Sequence, residues 1–213
     1  IGVIGMNEAG LNAPWLRAGM ESEKTRQFAV SVLNHMREKL IGYQLEYGTL
    51  YGLEATPAES ATFRFARLDR ERFPGIRTGG REGNAPYYTN STKLPADHDI
   101  PLEEALANQD EVQPLYTTGT VFHIYVEQEL EDWRKARDVV FHGITEHTIP
   151  YCTLSPIYTI CQSCGYLPGR QKVCPKCGDQ ADIYSRIAGY YRPVHDWNDG
   201  KAQEFRNRVM YRI

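Results

Sequence analysis

The chain has 213 residues, of which 41% are hydrophobic and 24% charged, as is ordinary for a soluble globular protein with one sizeable core. The net charge is -3 and the basic residues are scattered rather than clustered, so no nucleic-acid partner is indicated. No apolar run approaches the roughly 20 residues that span a bilayer, and no signal peptide is recognisable. We therefore expect a cytoplasmic protein that contacts no membrane.

The chain opens on an apolar, glycine-punctuated stretch, Ile1–Met6, which starts without methionine. This stretch predicts a buried strand and turn over residues 1–10. An apolar strand without neighbours would be an exposed, aggregation-prone sheet edge, so we expect the sequence to be a fragment of a longer protein. A processed N-terminus that is apolar by chance is the alternative.

A long helix is predicted over residues 22–46, where apolar side chains recur on one face at Phe28, Val32, Met36 and Leu40. Residues 48–53 are rich in glycine and aromatic residues and predict a second strand. Thr56, a hydroxyl N-cap followed by proline and then by an acid, predicts a helix that runs to about residue 72. Glycine and proline over residues 74–86 indicate a loop.

The remainder of the chain alternates between strands and helices. Strands are predicted over residues 87–92, 119–126 and 148–160, and helices over residues 102–108, 129–142 and 204–210. Such alternation indicates an α/β layer or barrel.

Four of the five cysteines form two Cys-x-x-Cys pairs, Cys161 with Cys164 and Cys174 with Cys177. Their four thiolates complete a tetrahedral shell for zinc, and such a closed shell indicates a structural role. A glycine directly after each pair allows the positive φ that metal knuckles need. Iron is the lesser alternative, and the spacing identifies a metal rather than a function. The fifth cysteine, Cys152, is interpreted as a small buried hydrophobe rather than a redox group.

Gly189 lies among apolar and aromatic residues, and by itself such a glycine indicates a tight turn. The order of elements adds to this: the four-cysteine segment is followed by Arg-x-x-Gly-Tyr and then by Asn-Asp-Gly-Lys at residues 198–201. Further characteristic stretches lie at residues 56–60, 88–91 and 113–123. Together these features resemble the C-terminus of anaerobic (class III) ribonucleotide reductases, and the resemblance covers essentially the whole chain.

The resemblance implies an α/β fold: the C-terminal part of a ten-stranded α/β barrel of the glycyl-radical enzyme type, with a small zinc-ribbon-like module and a C-terminal glycine-radical loop. Residues 1–150 would form the partial barrel of the catalytic domain. Residues 151–180 would form the four-cysteine zinc module, and residues 181–213 the glycyl-radical loop with a C-terminal helix.

The resemblance also implies anaerobic reduction of ribonucleoside triphosphates to 2′-deoxyribonucleoside triphosphates by glycyl and thiyl radicals. Gly189 would carry a glycyl radical installed by a radical-SAM activating enzyme, with formate or a dithiol protein as the reductant. The thiyl-forming cysteine would lie upstream, so this fragment should not turn over substrate alone. The full-length protein would be a homodimer. The neighbours expected to pack the loop and exclude oxygen and water are Ile187, Ala188, Tyr190 and Tyr191.

The helix start at residues 56–60 resembles the phosphate-binding helix start of ribonucleotide reductases, where unpaired N–H groups meet an anion. The candidate substrate-binding residues are Thr56, Ala58, Glu59, Ser60, Asn90 and Ser91. Glu59 fits poorly unless its charge points away, and a capped helix without a ligand is the alternative. Asn7 and Glu8 follow the first strand, where barrels place their chemistry, and His123 is interpreted as a core or rim histidine.

Two other functions stay open at this level. Arg-x-x-Gly-Tyr alone also fits pyruvate formate-lyase-like enzymes, although the preceding zinc segment argues against them. The other alternative is a non-catalytic zinc-ribbon interaction module. The net charge and the lack of a basic aromatic patch argue against it.

Overall fold

A computed structural model describes residues 1–81 and 83–213; Glu82, within the predicted loop at 74–86, lies outside the described residues. The helices are Met6–Asn12 (α1), Glu23–Tyr47 (α2), Glu59–Arg72 (α3), Leu102–Gln109 (α4), Trp133–Thr145 (α5) and Asp199–Asn207 (α6). The strands are Phe122–Val126 (β1), Cys152–Pro156 (β2), Tyr158–Cys161 (β3), Gly165–Pro168 (β4), Asp182–Arg186 (β5) and Tyr191–Pro193 (β6). Over the described part of the chain, every helix is too short or too polar to cross a membrane.

A ladder of parallel pairings organises the first two thirds of the chain. Single parallel bridges join Gly2 to Glu54 and Glu54 to Gly119, and β1 then pairs in parallel with β2. Parallel neighbours need crossover connections, and α2, α3 with α4, and α5 lie in the three connections of this ladder. The α/β class predicted from the sequence is therefore confirmed.

The second sheet is antiparallel, with the strand order β4-β3-β5-β6. Along the chain, the single residue Ile157 connects it to the first sheet. Ile157 is fully buried and donates its N–H to the carbonyl of Val126 at 3.2 Å. This sheet starts in the four-cysteine segment and ends beyond Gly189, so it continues across residue 180. The three-part division of the chain stays a prediction.

Separate hydrophobic clusters hold these layers together. One lies beneath α2 and includes Leu33 and Leu53, and a second joins α4 to β1 and β2. A third, which includes Ile187, Trp197 and Phe205, packs the Gly189 segment against α6. The glycine segment is thus anchored from one side by a small aromatic core.

The strands predicted over residues 48–53 and 87–92 are wrong. The backbone turns at Gly48, with φ of 63°, and at Ser91, with φ of 51°. The first segment is followed by isolated bridges at Glu54, and the second forms isolated bridges only at Tyr87 and Asn90. The strand predicted over residues 148–160 is two strands, because the chain changes sheets at Ile157.

Other boundaries differ because side chains cap the helices. Asn198 accepts a hydrogen bond from the N–H of Lys201 at 2.9 Å, which starts α6 ahead of the predicted residue 204. Asp132 does the same for α5 through the N–H of Arg134, also at 2.9 Å. The strand and turn predicted for residues 1–10 give way to α1 at Met6, whereas α2 and α4 are confirmed closely.

Candidate functional site

The four paired cysteines lie together at one end of the second sheet. Their Sγ atoms are all within 4.8 Å of one another, and those of Cys161 and Cys177 are 3.6 Å apart. Zn–S bonds of about 2.3 Å in a tetrahedron place the sulfur atoms about 3.8 Å apart. The donor set and its spacing therefore fit a zinc ion.

The backbone around the cysteines favours thiolates. Gly165 and Gly178 have φ of 77° and 82°, as predicted from their positions after each pair. Burial opposes ionisation of Cys174, but N–H groups of Cys177 and Lys176 and the thiols of Cys177 and Cys161 outweigh it and lower the pKa of Cys174 to about 7. The same group of thiols raises the pKa of Cys164 and of Cys177. Because metals bind the thiolate, this environment prepares Cys174 as a ligand near neutral pH.

Gly189 lies in the turn between β5 and β6. Arg186 donates from Nη1 to the carbonyl oxygen of Gly189 at 2.6 Å, and the N–H of Ile187 donates to the carbonyl of Tyr190 at 3.1 Å. Gly189 does not have the positive φ that favours glycine, and a Cβ added there would meet no atom within 4 Å. Neither conformation nor packing in this structure requires a glycine at this position.

The shielding predicted for the glycine segment is only half present. Ile187 and Ala188 are buried, but Gly189 is exposed and Tyr190 is 52% exposed. The described residues place no element over the outer side of the turn, so the packing of Tyr190 into a barrel stays a prediction. The Tyr190 hydroxyl donates to Glu59 at 3.4 Å and so connects the turn to the start of α3.

The start of α3 differs from the prediction. Its N-cap is Ala58, with φ of 42° and no side-chain hydrogen bond to the helix, so the predicted hydroxyl cap at Thr56 is wrong. The side chain of Thr56 packs against Gly2 instead. The first N–H groups of the helix therefore lack a side-chain cap, which is the condition under which a helix start receives an anion.

A cavity lies in front of this helix start and brings it together with the glycine segment. Its wall is formed by residues from the two segments and from the turn before α6: Pro57, Ala58, Glu59, Ser60, Ile187, Arg192, Asp196, Trp197 and Asn198. Asn198 also donates to the carbonyl of Glu59 at 3.1 Å. Three of the predicted substrate residues, Ala58, Glu59 and Ser60, thus share one cavity with Ile187, which lies two residues before Gly189.

The other three candidates lie outside this cavity: Thr56 packs against Gly2, and Asn90 and Ser91 lie elsewhere. Asn90 is bridged to Ile4 and accepts a hydrogen bond from Lys201 Nζ at 3.1 Å. Ser91 is fully buried, and its Oγ has no hydrogen-bond partner among the described residues. The structure does not bring either residue into the cavity at the start of α3.

A group of buried charges was not predicted from the sequence. Glu204 lies between Lys201 Nζ at 2.6 Å and Arg208 Nη2 at 3.1 Å. Lys93 shares with Glu204 and Arg208 a cavity of about 100 Å³ that Asn90 also lines. Charges spaced three and four residues apart, as Lys201, Glu204 and Arg208 are, are typical of a solvated helix face. Apart from the Asn-Asp-Gly-Lys stretch, the sequence therefore gives no indication that these charges are buried.

Asn7 and Glu8 are buried in α1 and serve the packing of the chain. Glu8 accepts hydrogen bonds from the N–H and hydroxyl of Thr89 at 2.9 and 2.7 Å. Asn7 accepts one from the N–H of Met20 at 3.0 Å. Burial raises the pKa of Glu8 despite these bonds. Both residues therefore connect α1 to neighbouring segments.

His123 and Cys152 lie where they were predicted. Nδ1 of His123 is 2.9 Å from the hydroxyl of Thr153, and burial, with Lys93 and Arg186 nearby, lowers the pKa of His123 to about 2. Cys152 is 5% exposed in the cluster beneath α5, and burial raises the pKa of its thiol to about 11. Both side chains are thus buried, as predicted for a core or rim histidine and a small buried hydrophobe.

Comparison with known proteins gives consistent matches. Residues 1–211 match the family described as anaerobic ribonucleoside-triphosphate reductase. Enzymes of that name from Haemophilus influenzae and Escherichia coli are each 28% identical over 99% of this chain, which covers 31% and 30% of their lengths. The chain thus spans about a third of the length of the curated relatives it matches.

Solved structures show the same fold. An anaerobic ribonucleotide reductase matches 100% of this chain with a TM-score of 0.78 at 22% identity, and the chain covers 34% of it. The Thermotoga maritima enzyme, solved with glycerol in the active site, matches 96% of the chain with a TM-score of 0.73 at 22% identity, and the chain covers 32% of it. The family match does not favour a pyruvate formate-lyase-like enzyme or a separate zinc-ribbon module. The chain belongs to the anaerobic ribonucleoside-triphosphate reductase family.

Proposed function

We propose that this chain is the radical-storage part of an enzyme that reduces ribonucleoside triphosphates to 2′-deoxyribonucleoside triphosphates, with Gly189 as the glycyl-radical carrier. The observation that carries the proposal is a glycine that neither φ nor packing requires, inside Arg-x-x-Gly-Tyr of a chain from this family. A Cα radical is stabilised by the adjacent amide nitrogen and carbonyl, and it becomes planar most easily without a side chain. Arg186 would hold that carbonyl in place.

The parallel ladder supports a place in a ten-stranded barrel. Its segments at residues 2, 54, 119–126 and 152–156 are successive parallel neighbours, as in one part of such a barrel. The remaining strands would come from the rest of the protein. Those strands would also cover the outer side of Gly189 and Tyr190, which a long-lived radical requires.

The uncapped start of α3 is the proposed site for the substrate triphosphate. Ala58 and Ser60 would let the anion approach the free N–H groups, while Glu59 is engaged by Tyr190. Thr56, whose side chain packs against Gly2, would help to position this helix start. Asn90, which accepts a hydrogen bond from Lys201, and Ser91 would line the substrate site beside the parallel ladder.

The four cysteines would hold zinc, which supplies a closed structural cross-link when bound. Cys161, Cys164, Cys174 and Cys177 thereby fix β3, from which the sheet leads to Gly189. By the resemblance, the thiyl-forming cysteine would lie outside this chain, since Cys152 is packed in the core cluster of β1 and β2 and the other four cysteines would be zinc ligands. A radical-SAM activating enzyme, formate or a dithiol protein as reductant, and a second subunit would complete the system.

The test is electron paramagnetic resonance of the full-length protein after anaerobic activation. We expect a glycyl doublet that Gly189→Ala abolishes without loss of helix content. Gly42→Ala is the matched control, because Gly42 is an exposed helical glycine whose added Cβ also meets no atom within 4 Å. A doublet that persists in Gly189→Ala would overturn the assignment.

A further inference from the structure

A second group of possible metal ligands lies between α4 and α5. Glu103 is in the first turn of α4, His142 in the last turn of α5, and His147 just beyond it. Their ligand atoms all lie within 4.8 Å of one another. One Glu103 oxygen is 2.7 Å from Nε2 of His142, and the other is 3.2 Å from Nε2 of His147.

The hydrogen bonds around His147 determine its tautomer, that is, which ring nitrogen carries the proton and which one faces Glu103 as an acceptor. Nδ1 of His147 is 2.8 Å from Oδ2 of Asp110. The other oxygen of Asp110 accepts from the N–H of Thr148 at 2.9 Å. A carboxylate only accepts, so Nδ1 carries the proton, and a neutral His147 turns the lone pair of Nε2 toward Glu103. Either a proton, on the ring or on the carboxyl group, or a metal ion must therefore lie between these two acceptors.

We propose that Glu103, His142 and His147 form a binding site for a divalent transition-metal ion such as zinc. Two imidazole nitrogens and one carboxylate are a donor set that zinc uses, and three protein ligands leave a fourth position for water. Asp110 acts as the outer partner that orients His147, an arrangement that metal-binding histidines regularly show.

The surroundings suit an ion that enters from solvent. The side chain of His147 is 6% exposed and therefore fixed, whereas those of His142 and Glu103 are 44% and 63% exposed. Glu103 and His142 come from two helices that pack together, since Gly143 lies against Leu106 of α4, and His147 comes from the segment just after α5. A bound ion would tie α4 to α5 above the β1–β2 pair. This site is separate from the four cysteines, and its ligands are harder donors.

The test is a calorimetric titration of Zn²⁺ into the full-length protein after the four-cysteine site has received one equivalent. We expect one further equivalent to bind. Glu103→Gln and His147→Gln should each weaken this binding by about 100-fold or more, and Asp110→Asn by about 10- to 100-fold. His35→Gln, an exposed histidine on α2, is the matched control and should bind as the parent does.

Folding is checked separately, because His147 is buried. Glu103 is largely exposed, so Glu103→Gln should keep the parent circular dichroism spectrum while losing the further equivalent. Zn²⁺ should also raise the Tm of the parent but not that of Glu103→Gln. If no further equivalent binds, or if Glu103→Gln and His147→Gln bind it unchanged, the contacts are protonated ion pairs only and the proposal is overturned. The outcome does not depend on a radical at Gly189.

Discussion

Glu204 is the only acid in direct contact with two buried cations among the described residues, Lys201 and Arg208. Glu204→Gln keeps the shape of the side chain but leaves both cations without their counter-charge. Breaking a buried pair by removing one partner costs about 3–5 kcal/mol. We expect a loss of that order in the free energy of unfolding, measured by urea denaturation. Glu131→Gln, at an exposed position, should change stability little.

The same carboxylate makes the fold sensitive to acid. Burial alone would raise the pKa of Glu204, but Lys201 and Arg208 together lower it below the usual value of about 4.3. A depressed folded-state pKa contributes stability above the unfolded pKa, and that contribution is lost as the pH falls through the folded value. Urea midpoints measured below about pH 4.3 should therefore fall more steeply for the parent than for Glu204→Gln. Parallel slopes would contradict this role of Glu204.

Lys93 gives a pH dependence of the same sense in a higher pH window. Burial and the neighbouring Lys201 lower the pKa of Lys93 to about 8, whereas a free lysine titrates near about 10.4. Between these values the unfolded chain binds a proton that the folded chain does not, so stability rises with pH across this window. Lys93→Met should flatten the rise in thermal unfolding profiles. Lys135→Met, at an exposed position of α5, should leave it intact.

Arg186 is expected to order the turn that carries Gly189. Its charge-assisted hydrogen bond to the Gly189 carbonyl spans the turn between β5 and β6. Arg186→Met should remove that bond and speed hydrogen exchange at residues 187–190 by about 10-fold, as the loss of about 1.4 kcal/mol would do. Arg134→Met, in the exposed first turn of α5, is the control. Unchanged exchange in Arg186→Met would show that the sheet alone orders the turn.

At the scale of elements, the four-cysteine segment has little apolar material of its own. Around the cysteines its cluster contains only Leu167 and, partly buried, Ala181 among the described residues. A metal must then supply much of the cohesion. Chelation should raise hydrogen-exchange rates across β3 and β4, while α2, which has its own large cluster, should exchange as before. Protection of β4 that survives chelation would show that the sheet does not need the ion.

Elements were predictable where the signal is local. The regular apolar spacing of α2 and the Cys-x-x-Cys-Gly knuckles depend on neighbours in sequence, and the structure has both where they were expected. The segment at residues 87–92 reads as a strand by composition, yet the left-handed Ser91 ends its pairing. That conformation is imposed by tertiary context, since serine itself gives little sign of it.

At the scale of the whole molecule, the candidate site contains residues that local motifs predict and residues that only the tertiary fold brings together. Gly189 and the four cysteines were predictable because each belongs to a short motif. The charges of Lys201 and Glu204 were not, because the sequence does not say which face of α6 is covered. Lys93 joins them only through the tertiary fold, which places it at the same cavity as Glu204. The pairing of Tyr190 with Glu59 joins distant parts of the chain, and periodicity or spacing cannot reveal such a contact.

The parallel ladder described above also bears on the order of folding. Its bridges join residues 2, 54 and 119, which are far apart in sequence, so each pairing must first close a long loop. The second sheet is built from near neighbours, with β3 and β4 separated by a single knuckle. We therefore expect the cysteine-bearing hairpin to form early and the ladder late. During folding, the cysteine-bearing hairpin would then form before the parallel ladder against which the Gly189 turn is expected to pack.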